Sequence, residues 1–122
     1  MADRYQLLTS VAELEPAVAG SFTRPVLFFK HSLTCGTSAW ALEELEALLD
    51  GPSIPADACV VHVQTSRALS EAIASRFGIR HESPQALLVR NGAVVWHSSH
   101  HRLSQAEMAG ALQRHVGLPA AL

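Results

Sequence analysis

Short apolar runs alternate with longer amphipathic runs along this chain. The apolar runs have the length of strands, and they cover residues 5–8, 25–31, 58–64, 85–89 and 93–97. The run 25–31 is apolar on both faces, which predicts a strand in the centre of a sheet. The pattern therefore predicts a sheet of four to five strands.

The amphipathic runs between these strands predict four helices. Capping-box spacing at 10–13 and 104–107 marks the start of the first and last helices. Pro16 predicts that the first helix is short or kinked, and Gly78 is placed to end the third helix in a left-handed conformation. The apolar faces expected to enter the core are Val11, Leu14 and Val18; Ala41, Leu42, Leu45, Leu48 and Leu49; Leu69, Ala72, Ile73 and Phe77; and Met108, Ala109, Leu112 and Val116.

The order of these elements is β-α-β-α-β-α-β-β-α. Three strands joined through helices should lie parallel, whereas Asn91-Gly92 predicts a hairpin that makes the last pair antiparallel. This order is typical of thioredoxin-like proteins. The sequence thus predicts an α/β fold, a single thioredoxin-like domain over residues 1–122. Its three α/β/α layers would hold a mixed sheet of four to five strands and four helices.

Composition narrows the functional classes. The 122 residues are 48% hydrophobic and 16% charged, and the formal net charge of −2 gives no general attraction to nucleic acid or anionic membranes. No apolar run approaches the roughly 20 residues of a membrane span, and the first residues lack the apolar segment of a signal peptide. We expect a cytoplasmic monomer or weak homodimer that binds neither nucleic acid nor membrane.

Two cysteines are present, too few for a disulfide framework. Cys59 lies inside an apolar strand and is expected to be buried and inert. Cys35 lies between the strand 25–31 and a helix that runs to about Leu49. Unpaired N–H groups and the helix dipole favour a thiolate at a helix start, and the thiolate is the nucleophile. A small buried cysteine that only fills space is the alternative.

The segment Cys35-Gly36-Thr37-Ser38 has the form Cys-x-x-Ser. A hydroxyl stands where the redox motif Cys-x-x-Cys has its second thiol. Ser38 forms no disulfide, but one turn from Cys35 it can donate a hydrogen bond to the thiolate. Such a site can form a mixed disulfide and needs another thiol to resolve it. Cys35 and Ser38 are the candidate catalytic residues, and Trp40 is expected to serve packing.

Ser83-Pro84 stands directly before a predicted strand. In thioredoxin-like folds a cis-proline at this place faces the reactive cysteine and presents backbone to the bound disulfide. The element order favours a cis bond here, with an ordinary trans proline opening an edge strand as the alternative. The candidate substrate-binding residues are Thr34, Gly36, Thr37, Ser83 and Pro84.

Several short blocks keep a common order from about Val26 to His100. They are Phe29-Lys30-His31-Ser32, Thr34-Cys35 with Ser38, Gly78, His81-Glu82-Ser83-Pro84-Gln85, Asn91-Gly92 and Val95-Trp96-His97-x-Ser99-His100. In these blocks the chain resembles the monothiol bacilliredoxins, small thioredoxin-fold proteins of bacteria that use bacillithiol. Family members often have proline and isoleucine after the cysteine. This chain has Gly36 and Thr37 instead, and glycine loosens the first turn.

The resemblance implies a substrate and a role for Cys35. Cys35 would strip bacillithiol, or another low-molecular-weight thiol, from S-thiolated client proteins. That small thiol would be the co-substrate, and no bound cofactor is expected.

The chain has seven histidines. His97, His100 and His101 suggest zinc, but no spacing supplies four suitable ligands, so no metal site is predicted. His62 is expected to be an interior residue. Other polar side chains could lie near Cys35 and stabilise its thiolate, with a plain surface position as the alternative for each histidine. These candidates are Lys30, His31, His81, Glu82, His97 and His100.

The leading hypothesis is therefore thiol–disulfide exchange by a monothiol. Two alternatives from other classes stay open. One is a thioredoxin-fold binding or adaptor module without turnover. The other is a redox sensor whose Cys35 oxidises to sulfenic acid.

Overall fold

A computed structural model describes residues 4–117 of the protein. Its strands are β1 Gln6–Leu8, β2 Val26–His31, β3 Asp57–His62, β4 Gln85–Arg90 and β5 Ala93–Ser99. Its helices are α1 Leu14–Gly20, α2 Gly36–Asp50, α3 Arg67–Phe77 and α4 Gln105–His115, with 3-10 turns at Val11–Glu13 and His100–Arg102. The predicted extent of the domain, 1–122, includes residues outside this range and stays a prediction.

Within residues 4–117 the five strands form one sheet in the order β1-β3-β2-β4-β5. Successive side chains of β2 point to opposite faces and divide the core in two. Phe29 packs on the face covered by α2 and α4, whereas Phe28 packs on the face covered by α1 and α3. Because every residue of β2 is buried, this strand is central, as predicted. The result is the predicted α/β architecture, a mixed sheet between two layers of helices.

The direction of β4 is the feature that positions the site. The strands β1, β2 and β3 are parallel, but β4 runs antiparallel to β2, with Lys30 opposite Gln85. The connection through α3 therefore leaves and re-enters the sheet at the same end. Pro84 directly precedes Gln85, so it lies beside the end of β2 from which the chain continues to Cys35.

Local sequence signals are confirmed at the turns and caps. Asn91 and Gly92 have φ angles of 54° and 79°, the paired positive values of a type I′ hairpin. Gly78 ends α3 at φ 66°, and the Ser104 hydroxyl accepts a hydrogen bond from the Glu107 amide at 3.1 Å. These features depend on neighbouring residues, which explains why the sequence reveals them.

The first helical segment is short and has two parts. Pro16 falls in the first turn of α1, where its missing N–H leaves no gap in the helix. Leu14 and Val18 enter the core as predicted, but Val11 is exposed. That part of the prediction is wrong because the preceding 3-10 turn breaks the 3.6-residue period on which it relied.

Candidate functional site

Cys35 is the N-cap residue of α2, a helix of 15 residues. Its backbone is extended (φ −109°, ψ 125°), and its side chain is partly exposed. No acidic side chain lies in the first turn of the helix. The sulfur therefore lies at the positive end of an uninterrupted helix, where unpaired N–H groups favour a negative charge. Gly36 and Thr37, predicted to bind substrate, form the start of that turn.

Ser38 is fully buried beneath the first turn of α2. Its Oγ atom accepts a hydrogen bond from the Ser32 amide at 2.8 Å and lies 2.8 Å from the Nδ1 atom of His31. The hydrogen bond expected from Ser38 to Cys35 is not among these contacts. The hydroxyl points inward to the end of β2, so it holds the helix start rather than the sulfur.

His31, one of the residues predicted to stabilise the Cys35 thiolate, contacts the start of α2 through the Ser38 hydroxyl. Burial, and then the charge of His62, lower the pKa of His31, so its ring is neutral at neutral pH. The His31 and His62 ring centres are 5.7 Å apart. His62 is thus half-buried against another ring, in keeping with the interior role expected for it.

Gln64 holds the loop before the cysteine, a role that the sequence analysis missed. Its Oε1 atom accepts from the Leu33 amide at 3.0 Å, and its Nε2 atom donates to the hydroxyls of Ser32 at 2.8 Å and Thr34 at 3.2 Å. Parallel strands end at the same edge, so a polar residue just after β3 could have been placed beside the residues after β2. Thr34, predicted to bind substrate, is exposed and held by this contact.

The peptide bond between Ser83 and Pro84 is cis, as the sequence predicted. Pro84 is buried, and its carbonyl accepts a hydrogen bond from the His100 amide at 3.0 Å. Ser83 is half-buried. The pair lies at the same end of the sheet as Cys35 because β4 begins there.

Lys30 and His81 lie on the other side of the sheet from α2. The Lys30 side chain is fully buried, with its Nζ atom 3.2 Å from His81 Nδ1, and the Ser70 hydroxyl of α3 lies 3.3 Å from the same nitrogen. Burial lowers the pKa of Lys30 to about 8. Burial, and then the charge of Lys30, lower the pKa of His81. Lys30 and His81 contact each other. The geometry therefore does not favour the role predicted for them, which was to stabilise the Cys35 thiolate.

Glu82 and His100 form a second polar group near Pro84. The Glu82 carboxylate accepts a hydrogen bond from the Ser99 hydroxyl and lies 3.3 Å from His100 Nε2. The Ser99 hydrogen bond is the main cause of the lowered pKa of Glu82. His97 is exposed and lines a cavity next to them. Glu82 and His100, both predicted to tune the thiolate, therefore have each other as partners.

The surface beside the cysteine is partly apolar. Trp40, with Gly36, Thr37 and His101, lines an open cleft of about 400 Å³. Trp40 is exposed, so the prediction that it serves packing is wrong. Trp40 lies next to the exposed Ala39 on the outward face of α2, which the core does not cover. Leu33 is exposed as well, so two large apolar side chains lie at the surface near the cysteine.

Cys59 is buried in β3, opposite Phe28 of β2. Burial raises the pKa of its thiol to about 11, and both cysteines are free thiols. Cys59 therefore fits the inert role that the sequence predicted.

Among residues 4–117, no group of three His, Cys, Asp or Glu side chains is placed to hold a metal ion. In the same range no helix has both the length and the apolar character needed to cross a bilayer.

Comparison with known proteins gives a consistent result. The model of the family described as monothiol bacilliredoxin BrxC matches residues 6–108. A solved structure described as "A putative oxidoreductase with a thioredoxin fold" is 31% identical, with a TM-score of 0.77, and the match covers 88% of this chain and 92% of that chain. The family match spans the segments that contain Cys35 and Pro84.

More distant structures share the fold alone. Thioredoxin from Fasciola hepatica is 18% identical, with a TM-score of 0.71 over 90% of this chain and 98% of that one. Thioredoxin f2 from Chlamydomonas reinhardtii is 15% identical, with a TM-score of 0.75 over 94% of this chain and 99% of that one. The architecture is therefore that of thioredoxin, as the element order predicted.

Proposed function

The chain belongs to the monothiol bacilliredoxin family of thioredoxin-fold oxidoreductases, and on this premise we propose that it removes bacillithiol, or a similar small thiol, from S-thiolated proteins. The observation that carries the proposal is that the motif has one thiol, Cys35, and a serine, Ser38, at its second position. Cys35 is partly exposed at the start of α2, and the second position of the motif is a buried hydroxyl. The described site thus holds one thiol and no internal resolving thiol.

The reaction then takes two exchange steps. In the first, the Cys35 thiolate attacks the small-thiol sulfur of a protein mixed disulfide. The Cys35–small-thiol disulfide forms, the client's disulfide breaks, and the client cysteine leaves as a thiolate that takes up a proton. In the second, another thiolate attacks the small-thiol sulfur held on Cys35, which releases a disulfide of two small thiols or of a protein and a small thiol. Cys35 returns as a thiolate, and the electrons balance.

Several surrounding features support this reaction. The first-turn N–H groups of α2 stabilise the attacking and leaving thiolate. In this proposal an extended client lies along the backbone near Pro84, and the exposed Leu33 and Trp40 side chains give it apolar contact. The partners are S-thiolated clients and a small thiol as co-substrate, and the reaction takes place in the cytoplasm without a bound cofactor.

The test follows the adduct by mass. The reduced protein is incubated with a bacillithiolated client, and both proteins are weighed with time. We expect the client to lose bacillithiol and the protein to gain one adduct on Cys35. The Cys35→Ser variant should leave the client modified, whereas the matched Cys59→Ser variant should react like the parent protein.

Other outcomes would contradict the proposal. A client that binds but keeps its bacillithiol indicates an adaptor. A Cys35 that peroxide converts to sulfenic acid but that takes no adduct from the client indicates a sensor.

A further inference from the structure

A cavity of about 460 Å³ lies beside the segment that contains Pro84. The stretch before Pro84 forms one wall, and the end of β5 with the 3-10 turn His100–Arg102 forms the other. The exchange reaction proposed above does not use this cavity. Its polar lining includes Arg80, Glu82, Gln85 and Arg102.

Gln85 lines this cavity and has an unpartnered polar atom. Its side chain is only 2% exposed. The Nε2 atom donates to the Arg80 carbonyl at 2.9 Å, which fixes the orientation of the amide. The Oε1 atom has no hydrogen-bond partner in the part of the chain that the structure describes. A buried acceptor without a donor is unfavourable, so an N–H or O–H group entering the cavity would be stabilised there.

The charge at the cavity is positive. Arg80 and Arg102 are exposed, and neither has a carboxylate partner within residues 4–117. The lining carboxylate, Glu82, is already bound by the Ser99 hydroxyl and faces His100. Two free guanidinium groups therefore outweigh one occupied carboxylate. Guanidinium groups bind carboxylates through paired, charge-assisted hydrogen bonds.

The cavity adjoins the helix that begins at Cys35. His101 lines both this cavity and the cleft formed with Gly36 and Thr37. The His100 amide also binds the Pro84 carbonyl, so the 3-10 turn joins the cavity to the cis-proline segment. The 3-10 turn therefore borders both the cavity and the first turn of α2.

We propose that this cavity binds the carboxylate-bearing end of the small thiol whose sulfur Cys35 accepts. The assignment rests on the proposed function and names the chemical class of its co-substrate. That class is a small thiol with at least one carboxylate for Arg80 and Arg102 and an N–H or O–H donor for Gln85. Bacillithiol and glutathione both have this chemistry, whereas an uncharged thiol lacks the carboxylate.

The test measures binding without exchange. The intact, reduced protein is titrated with the S-methyl thioethers of bacillithiol and of glutathione, and with their carboxyl methyl esters, by amide NMR. We expect a carboxylate form to shift the signals of Gln85, His97 and Arg102 and its ester to bind about 10-fold more weakly, the loss typical of a charge-assisted hydrogen bond. Binding of one derivative alone supports the site and identifies the source, whereas binding of both supports the site and the chemical class of its ligand.

Matched variants test whether Arg80 and Arg102 bind the carboxylate. The Arg80→Ala, Arg102→Ala double variant should weaken binding of the carboxylate form by about 10-fold or more. The Arg114→Ala variant loses an exposed arginine of α4 and should bind like the parent protein. Absence of binding, equal binding of acid and ester, or equal affinity of the double variant and Arg114→Ala would overturn the inference.

The two proposals fail separately because the thioethers have no exchangeable sulfur. Thioether binding at the cavity without transfer of either small thiol to Cys35 overturns the proposed function. Transfer without thioether binding overturns the cavity assignment alone.

Discussion

The Nδ1 atom of His31 lies 2.8 Å from the Oγ atom of Ser38, inside the protein, and joins the last residue of β2 to the first turn of α2. The Ser32 amide donates to the same oxygen at 2.8 Å. Burial lowers the pKa of His31, so the ring meets the hydroxyl in its neutral form. The serine of the Cys-x-x-Ser motif therefore fixes where the helix starts, and through the helix it fixes where Cys35 lies.

Replacing Ser38 by alanine should destabilise the protein. Ser38→Ala leaves the buried Ser32 amide and the His31 nitrogen without their partner, and we expect the free energy of unfolding to fall by about 1–3 kcal/mol. Urea denaturation measures this change. The control is Ser75→Ala on the exposed face of α3, which should change stability by about 0.5 kcal/mol or less. Equal effects of the two substitutions would show that the buried hydroxyl adds no stability.

Replacing Gln64 by leucine should loosen the loop before Cys35. Gln64→Leu removes the three hydrogen bonds to Ser32, Leu33 and Thr34. We expect faster amide exchange at residues 32–34 and a fall of about 3–10-fold in kcat/KM for transfer of bacillithiol, because the sulfur is less well positioned.

The control for this loop is Gln113→Leu on the exposed face of α4. It makes the same chemical change at a distance from the site and should leave both measurements as they are. Unchanged amide exchange in Gln64→Leu would refute the role given to its side chain.

The sequence predicted the parts of the fold that depend on neighbouring residues. Asn91-Gly92 specifies its own turn because both residues tolerate positive φ. Gly78 ends a helix for the same reason. The apolar run of β2 indicated a central strand, and the element order then placed Cys35 and Pro84 at one end of the sheet.

Contacts between residues far apart in the sequence could not be predicted from its pattern. Cys-x-x-Ser shows that Ser38 follows Cys35 by one turn, but the direction of its hydroxyl depends on where β2 ends. Lys30 precedes His31 by one residue, so the alternation of a strand sends the two side chains to opposite faces. The apolar pattern of β4 did not indicate whether this strand runs parallel or antiparallel to β2, because strands of either orientation have the same pattern.

The two cysteines should react differently with iodoacetamide at pH 8. We expect one equivalent to label the partly exposed Cys35 in the folded protein and Cys59 to react only after unfolding in urea, because burial raises the pKa of Cys59 to about 11. Peptide mass analysis identifies the labelled residue. Labelling of Cys59 in the folded protein at the rate of Cys35 would contradict its burial.

The raised pKa of Cys59 also predicts a loss of stability at high pH. Between pH 9 and 11 the unfolded chain releases this proton, starting from the ordinary thiol pKa of 9.0, while the folded protein keeps it. Folding is therefore less favourable as pH rises, by about 2 kcal/mol across this window. Urea denaturation from pH 8 to 11 should show the fall in the parent protein and a smaller fall in Cys59→Ala. Parallel curves would refute the assignment.

Lys30 should have the opposite effect on stability. It is the only lysine of the chain, it is fully buried, and burial lowers its pKa from 10.5 to about 8. Between pH 8 and 10.5 the unfolded chain holds a proton that the folded protein has released, so folding becomes more favourable as pH rises. Below pH 8 the buried charge lowers stability by an amount on the order of 1–3 kcal/mol. Lys30→Met should therefore stabilise the protein at pH 7, and this advantage should shrink as pH approaches 10.5.

The experiment compares Lys30→Met with its parent in the Cys59→Ala background, which removes the opposing thiol titration. Because Lys30 is the single lysine, selective ¹⁵N labelling of lysine gives one Nζ signal, and its titration near pH 8 in the folded protein is a direct measure of the pKa. Lys30→Arg is the matched control, since its guanidinium stays charged throughout and should gain no stability from pH 8 to 10.5. A signal that titrates near 10.5, or a Lys30→Met advantage that is constant with pH, would mean that the buried ammonium is stabilised by its surroundings, with His81 Nδ1 at 3.2 Å as the first partner to test.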